Sequence, residues 1–479
     1  MRCTFRRIVL FLPAFFLTFA VLLGTMGNWE HKSYLVALLV AVLLLVVMIL
    51  FCRKGRPLGN WLDRQNPVAA CLLLSFFCLL LNGFWVFAFH PVQAPDYATF
   101  FQAASDLANG RSLTGKDYVS MFPHILGYAA FLSIFLRLFS ESLMTAALVN
   151  VLLTTLSGVI LYVLSLKFYG RKAASLVFLF WAVCPSKLLY NAMSLSEPFY
   201  TCLLLLFFFL VSTAMDVRPG EKETSRAALG GLLSGAALAM VNAARPIGII
   251  PIIAFLLWLF FLSDWRVICS RKKAVLLYTC LLLLSYVMTG SIWKSYAAAR
   301  LEQAPPSIPG YSIYVGFNPD TQGSYADEDM DLLQSRYFGE YNRNAEAAQQ
   351  SMLESAKERI ADNRKTIPRL MVHKLGTLLG HDEGGAFYSR ENFSDSAYSL
   401  WCVASNIWYY MVCLLAVAGC VWKGKKSDGN SILIVPLCFV GIVLAQLLVE
   451  VAARYHYCLI PMMLMMAAPI MQCGRMGRS

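Results

Sequence analysis

Residues 68–97 read VAACLLLSFFCLLLNGFWVFAF (68–89) and then HPVQAPDY (90–97). The first part holds no charged residue. As a helix rising about 1.5 Å per residue it is long enough to cross the roughly 30 Å of bilayer hydrocarbon. It opens into a Pro-broken stretch that ends on Asp96, an acid placed where the span meets water and headgroups. Ionisation there costs little, and a carboxylate in that place can take a proton from an acceptor hydroxyl. A plain turn aspartate after a proline is the other reading of the same residue.

Apolar runs like this one recur along the chain. Of the 479 residues 58% are hydrophobic and only 14% charged, against about 45–50% and 25% in soluble domains. Candidate spans are Ile8–Met26, Tyr34–Cys52, Val68–Phe89, Leu143–Leu166, Ala174–Leu189, Leu195–Met215, Ala228–Ala243, Pro246–Leu262, Ala274–Tyr296, Tyr398–Val421, Ile432–Val449 and His456–Gln472. The expectation is an all-α polytopic membrane protein of about 12 transmembrane helices. The first run is kept as an anchor, because no small-residue cleavage site follows it. The 14 cysteines avoid the long polar segment, so they read as small hydrophobes and not as a disulfide framework.

The net charge of +12 would suit a nucleic-acid partner, but its distribution excludes one. With the N-terminus inside, the inner segments hold 22 of the 40 Lys and Arg and 6 of the 28 Asp and Glu. Basic residues crowd one side, as the positive-inside rule requires. This predicts a multi-pass protein of the cell membrane with both termini cytoplasmic. To keep that alternation, the apolar run Phe122–Phe139 must lie along the outer surface. The outer loop 90–142 is then expected to form two juxtamembrane helices, the first with Tyr97, Phe100, Phe101, Ala104 and Leu107 on one face. Residues 299–396 form a small extracytoplasmic cap. Acids at Asp327–Asp331 start a helix there, and Met352, Leu353, Ala356 and Ile360 give it an apolar stripe. Pro368–Leu379 leads back to the bilayer. The chain thus divides into a bundle (1–298), the cap (299–396) and C-terminal spans (397–479).

Several motifs fall in one order. Asp96 follows an early span. Pro123-His124-Ile125-Leu126-Gly127-Tyr128 leads to Phe135-Leu136-Arg137-Leu138-Phe139. Ser196-Glu197-Pro198 begins a span, Asn242-Ala243-Ala244-Arg245-Pro246 breaks a helical hairpin, and Glu450 to Arg454-Tyr455, then Pro461, opens the last span. Together they resemble the GT-C glycosyltransferases, in particular the group of protein O-mannosyltransferases and bacterial lipid A aminoarabinose transferases. The resemblance runs from about Val68 to Ala468. Gly316-Phe317-Asn318 and the stretch Gly323 to Asp329 resemble bacterial members more loosely.

That resemblance implies an inverting transferase fed by a polyprenyl-phosphate-linked sugar, with an unknown glycan, lipid or protein as acceptor. Asp96 matches the family's general base. Arg245, Arg454, Tyr455, Glu197, His124 and Lys187 are the implied substrate-binding residues. Tyr97 stands where the family often has a second acid, and no Asp-x-Asp motif occurs in the loop, so no metal or other cofactor is expected. His124 replaces a common proline.

The residue types suit the chemistry. A guanidinium can hold two oxygens of a leaving phosphate at once; snorkelling from a helix end is the alternative for Arg245 and Arg454. Glu197 reads as an ion-pair partner of Lys187 or an arginine. Lys187 either steers phosphate or marks a loop. His124, His373 and His381 lack the grouping of a metal set and read as surface histidines. Two other functions compete. A transporter or lipid flippase should show matching halves with broken helices, and these halves look unlike. A wall-polymer ligase or polymerase would share the chemistry and differ in acceptor.

Overall fold

The computed structural model describes residues 2–27, 32–54, 64–216, 223–424 and 430–472. Among these the chain is helical and carries no strand. Of the charged residues assigned to the inner side, Arg56, Asp63, Arg218, Glu221, Lys222, Lys425, Lys426, Asp428, Arg475 and Arg478 lie outside the described residues.

The helices in order are α1 (Arg2–Gly27), α2 (Lys32–Lys54), α3 (Pro67–Ala88), α4 (Pro95–Ala108), α5 (Lys116–Met121), α6 (His124–Leu138), α7 (Leu143–Tyr169), α8 (Arg171–Ala182), α9 (Pro185–Asn191), α10 (Glu197–Met215) and α11 (Glu223–Ala244). Then come α12 (Ile249–Leu257), α13 (Trp265–Ser270), α14 (Lys272–Leu301), α15 (Gly310–Gly316), α16 (Asp327–Ser335), α17 (Ala345–Asp362), α18 (Ile367–Leu379), α19 (Gly384–Tyr388), α20 (Asp395–Gly424), α21 (Ile434–Leu447) and α22 (Leu459–Gln472). Seven of these are long and apolar enough to cross a membrane, α1, α3, α7, α10, α11, α14 and α20. An eighth span results if α8 and α9 count as one helix bent by 55°. The break is where Pro185 removes a backbone donor. Further expected spans fall on shorter apolar helices, Ser33–Met48, Ile249–Leu262, Ser431–Leu447 and Leu459–Gln472. The chain is a multi-pass membrane protein.

Local sequence explains the ends. The Asn66 side chain accepts from the amides of Val68 and Ala69, and Pro67 opens α3. Pro95 opens α4 and puts Asp96 in its first turn, where the helix dipole favours a carboxylate. Small residues let helices close up. A Cβ on Gly231 would lie 2.6 Å from the carbonyl oxygen of Tyr278, and one on Gly235 would lie 2.3 Å from that of Leu282. The Gly231-x-x-x-Gly235 pattern therefore seats α11 directly on α14.

Ion pairs and polar contacts sort by side. Segments assigned inside meet one another: Arg2 and Asp264 at 3.6 Å, Arg271 and Glu223 at 2.5 Å, and Ser431 with Asp216. Asp96 and Arg454, both assigned outside, meet at 2.6 Å. The run Phe122–Phe139 forms a 15-residue helix, α6, which packs on α4 and on the end of α11.

Residues 311–352 gather around Tyr311, Val315, Met330, Leu333, Tyr337, Ala345, Ala348 and Met352, together with Met121 from α5, whereas Leu375, Leu378 and Leu379 of α18 belong to the core of the bundle. The single helix expected over 327–360 is two. Its break falls at Asn342 and Arg343, which take positive φ of 43° and 63°. Asn344 then starts α17 anew by accepting from the Ala347 amide.

Candidate active site

Two segments far apart in sequence build the centre of the site. Asp96 stands at the start of α4. Arg454 stands in the 3-10 turn Ala453–His456 that precedes α22. One guanidinium nitrogen of Arg454 donates to Asp96 Oδ2 at 2.6 Å, and the other reaches the Tyr97 hydroxyl at 3.4 Å. The carboxylate is 44% exposed and the guanidinium 12%, so the pair faces outward from a covered base. Three rings surround Arg454, those of Tyr388, Tyr97 and Tyr455, with centres 5.3, 5.6 and 5.6 Å from Cζ. Arg454 Nε is buried with no hydrogen-bond partner among the described residues.

Arg245 completes the cluster. Helix α11 ends at Ala244, and the Arg245 amide still bonds the Val241 carbonyl at 2.7 Å. Its guanidinium lies 3.9 Å from the centre of the Tyr455 ring. Tyr455 thus touches both arginines, a cation–π arrangement that holds two like charges near one another. Glu450 joins from the same loop as Arg454: the Tyr455 hydroxyl donates to it at 3.4 Å. Burial pushes the Glu450 carboxyl up, against the pull of Arg454 and Arg245. Two carboxylates and two guanidiniums gather in one cluster.

The other expected site residues divide. Glu197 is buried at the first turn of α10 and acts on Arg245 through space. The anticipated pair of Glu197 with Lys187 does not form. Lys187 is fully buried and donates to Asn82 Oδ1 at 3.0 Å and to the Ala182 carbonyl at 3.3 Å. A lysine this deep places its ammonium on nearby amide oxygens, here the Asn82 side chain and the buried carbonyl at the end of α8. His124 opens α6 close to the cluster. Burial first, and then the charge of Arg245, push its imidazole down to about 3, with Asp96 opposing. It is a neutral group at pH 7. His381 stacks on Tyr34 at 5.5 Å, and the His373 ring meets Arg369.

Glu450 was visible in sequence only as an acid at the edge of an apolar run, four residues before Arg454. Tyr388 gave no signal, since it lies in a short helix of the cap with no pattern of its own. Tyr97 registered as an apolar-face residue of α4 and as a departure from the family's second acid, not as a partner of Arg454.

Residues 123–293 match the family described as dolichyl-phosphate-mannose-protein mannosyltransferase. The resemblance to mannosyltransferases expected from the ordered motifs is met over that segment. It contains His124, Lys187, Glu197 and Arg245; Asp96, Arg454 and Tyr455 lie beyond it. No curated protein is similar enough to the chain to count as a match. Among solved structures, the chain is similar to the Archaeoglobus fulgidus oligosaccharyltransferase tethered with an acceptor peptide, at 12% identity and a TM-score of 0.45, over 86% of this chain and 50% of that one. It is also similar to ArnT from Cupriavidus metallidurans bound to undecaprenyl phosphate, at 11% identity and a TM-score of 0.36, over 85% and 76%. The apo form of that protein gives 11% and 0.39. The chain spans about half the length of the archaeal protein.

Proposed function

We propose that the chain is a membrane glycosyltransferase that moves a sugar from a polyprenyl-phosphate donor to an acceptor on the extracytoplasmic face, with inversion. One observation carries the reading: the first-loop acid and the last-loop arginine, 358 positions apart, meet at 2.6 Å, with Arg245 beside them on the shared Tyr455 ring. The family match over residues 123–293 supports the same class.

The roles follow from charge. The donor phosphate takes the Arg454 guanidinium, whose Nε is still unpartnered, and Arg245 adds a second positive group. Phosphate competes with Asp96 for Arg454, so donor binding releases the carboxylate. The acceptor hydroxyl oxygen then attacks the anomeric carbon and gives its proton to Asp96. The carbon–oxygen bond to phosphate breaks as the new bond forms. The extra negative charge on the leaving phosphate is met by the two guanidiniums, which suits stabilisation of developing charge at a covered site. In this proposal both termini are cytoplasmic, and residues 299–396 act as a cap over the acceptor side.

The test is turnover of a polyprenyl-phosphate sugar by the purified chain and by Asp96→Asn. Loss of a general base costs roughly 10²–10⁴-fold. Turnover within threefold of the parent would remove Asp96 from that role.

A further inference from the structure

The segment that presents Arg454 and Tyr455 has little regular structure of its own. Between the end of α21 at Leu447 and the start of α22 at Leu459 it forms one 3-10 turn. A guanidinium that must meet phosphate and carboxylate needs a fixed backbone, because small misplacements cost binding and rate. Two buried groups fix it, one at each end.

At the first end is Lys374 of α18, wholly buried. Its ammonium donates to the carbonyls of Leu447 at 2.8 Å, Val449 at 2.7 Å and Gly316 of the cap at 2.7 Å. Three acceptors match the three protons of an ammonium. Backbone bonds continue the seam, from Glu450 N to Ser312 O at 2.7 Å and from Val451 N to Gly323 O at 2.9 Å. The approach is too close for side chains. A Cβ on Gly316 would lie 2.4 Å from the Val449 carbonyl carbon, and Gly323 sits at φ +79° with its would-be Cβ 2.8 Å from Lys374 Cδ.

At the other end His456 is held between two acceptors. Nδ1 lies 2.9 Å from the Leu378 carbonyl, which can only accept, so Nδ1 carries a hydrogen. Nε2 faces Asp382 Oδ1 at 3.1 Å, and the other oxygen of Asp382 accepts from the Ser186 hydroxyl at 2.6 Å. One proton therefore lies between Nε2 and Oδ1. Lys374 and Leu378 are one turn apart on α18, and Asp382 follows it. The helix is a rail to which both ends of the arginine segment are tied.

We infer that Lys374 and the Asp382–His456 pair are positioning residues, which act on the donor phosphate through Arg454 by holding residues 447–456 against α4. The inference rests on the reading of Arg454 as a phosphate ligand. It separates two substitutions at one site. In Asp382→Asn the amide can donate to a neutral His456 and its oxygen can still accept from Ser186, so the hold survives. In Asp382→Leu it is lost.

The full-length chain is titrated with undecaprenyl phosphate. Asp382→Leu and Lys374→Met should each lose tenfold or more in affinity, and Asp382→Asn should stay within threefold of the parent. Asp382→Leu combined with Arg454→Ala should bind no more weakly than Arg454→Ala alone, since nothing remains to position. Additive losses in the double variant, or equal losses in Asp382→Asn and Asp382→Leu, overturn the inference. If Lys374→Met does not fold, Lys374→Gln keeps part of the donor set, and a smaller loss with the same non-additivity is expected. A second readout needs no ligand. Nitroxides on Ala98→Cys and Ala452→Cys, in a background freed of exposed cysteines, should give one narrow distance that broadens in Lys374→Met. An unchanged distribution overturns the positioning claim. Broadening in a chain whose parent binds no polyprenyl phosphate supports it and counts against the phosphate reading alone.

Discussion

Lys187 and Arg454 are both cations held inside this protein, and they are held in opposite ways. Lys187 sits in the bundle among neutral groups. Its ammonium donates to Asn82 Oδ1 at 3.0 Å, the same oxygen accepts from Asn191 at 2.7 Å, and Thr154 donates to Asn191 at 2.8 Å. Two of the three ammonium protons are bonded there, to Asn82 and to the Ala182 carbonyl at 3.3 Å, and both partners are neutral. Arg454 is paired with a half-exposed carboxylate, ringed by tyrosines and left with one buried donor unsatisfied. A buried donor without a partner costs about 1–3 kcal/mol, and such costs are found where a ligand supplies the missing contact. In the proposed reading the neutral network belongs to architecture and the charged one to chemistry.

The largest expected effect lies at the charged cluster. Asp96→Asn should lower turnover by roughly 10²–10⁴-fold, measured with purified chain in lipid, while the protein remains folded. Arg454→Lys comes next. It keeps the charge and loses the two-pronged geometry, and the expected cost is about 1–3 kcal/mol of donor binding, read by titration with undecaprenyl phosphate. Equal affinity in Arg454→Lys and the parent would make this arginine as architectural as Lys187.

A smaller effect concerns pH. His124 holds its imidazole near 3 when folded, against about 6.5 when unfolded. The unfolded chain therefore binds the extra proton first. This residue's stabilising contribution is complete above about pH 6.5 and falls as pH drops from there towards 3, by at most about 1.4 kcal/mol per unit. Denaturation curves of the parent and His124→Gln should converge as pH falls through that window. A constant offset between them would refute the assignment. The smallest effect belongs to Lys187→Met. Asn82 keeps its bond from Asn191, so donor affinity should stay within threefold. A tenfold loss would put Lys187 in the site and erase the contrast.

Much of the fold was legible because its rules are local. Span length and the charge bias of loops follow from neighbouring residues, whereas the span expected over Ala174–Leu189 ran straight across the bend of 55° at Pro185. The approach of Gly231 and Gly235 to α14 rests on an equally short pattern that the sequence reading passed over. The helix break at Asn342–Arg343 was missed because the acids at Asp327–Asp331 and the apolar stripe from Met352 were joined into one helix, and the cap at Asn344 between them went unread. In the site, charged residues at membrane edges stood out because such charges are costly. Glu197 and Lys187 are both in that class, yet they do not pair. Which buried charges meet depends on packing across helices, and no spacing encodes it. Tyr388 and Lys374 were silent for the same reason: the groups they meet, Arg454 and the carbonyls of Leu447 and Val449, are far away in sequence.

The central claim is that Arg454 changes partner, from Asp96 to the donor phosphate. Its most direct test is the affinity of Asp96→Asn for undecaprenyl phosphate. With the competing carboxylate neutralised, binding should equal or exceed that of the parent while turnover is lost. A weakening of binding in proportion to the loss of turnover would contradict the account.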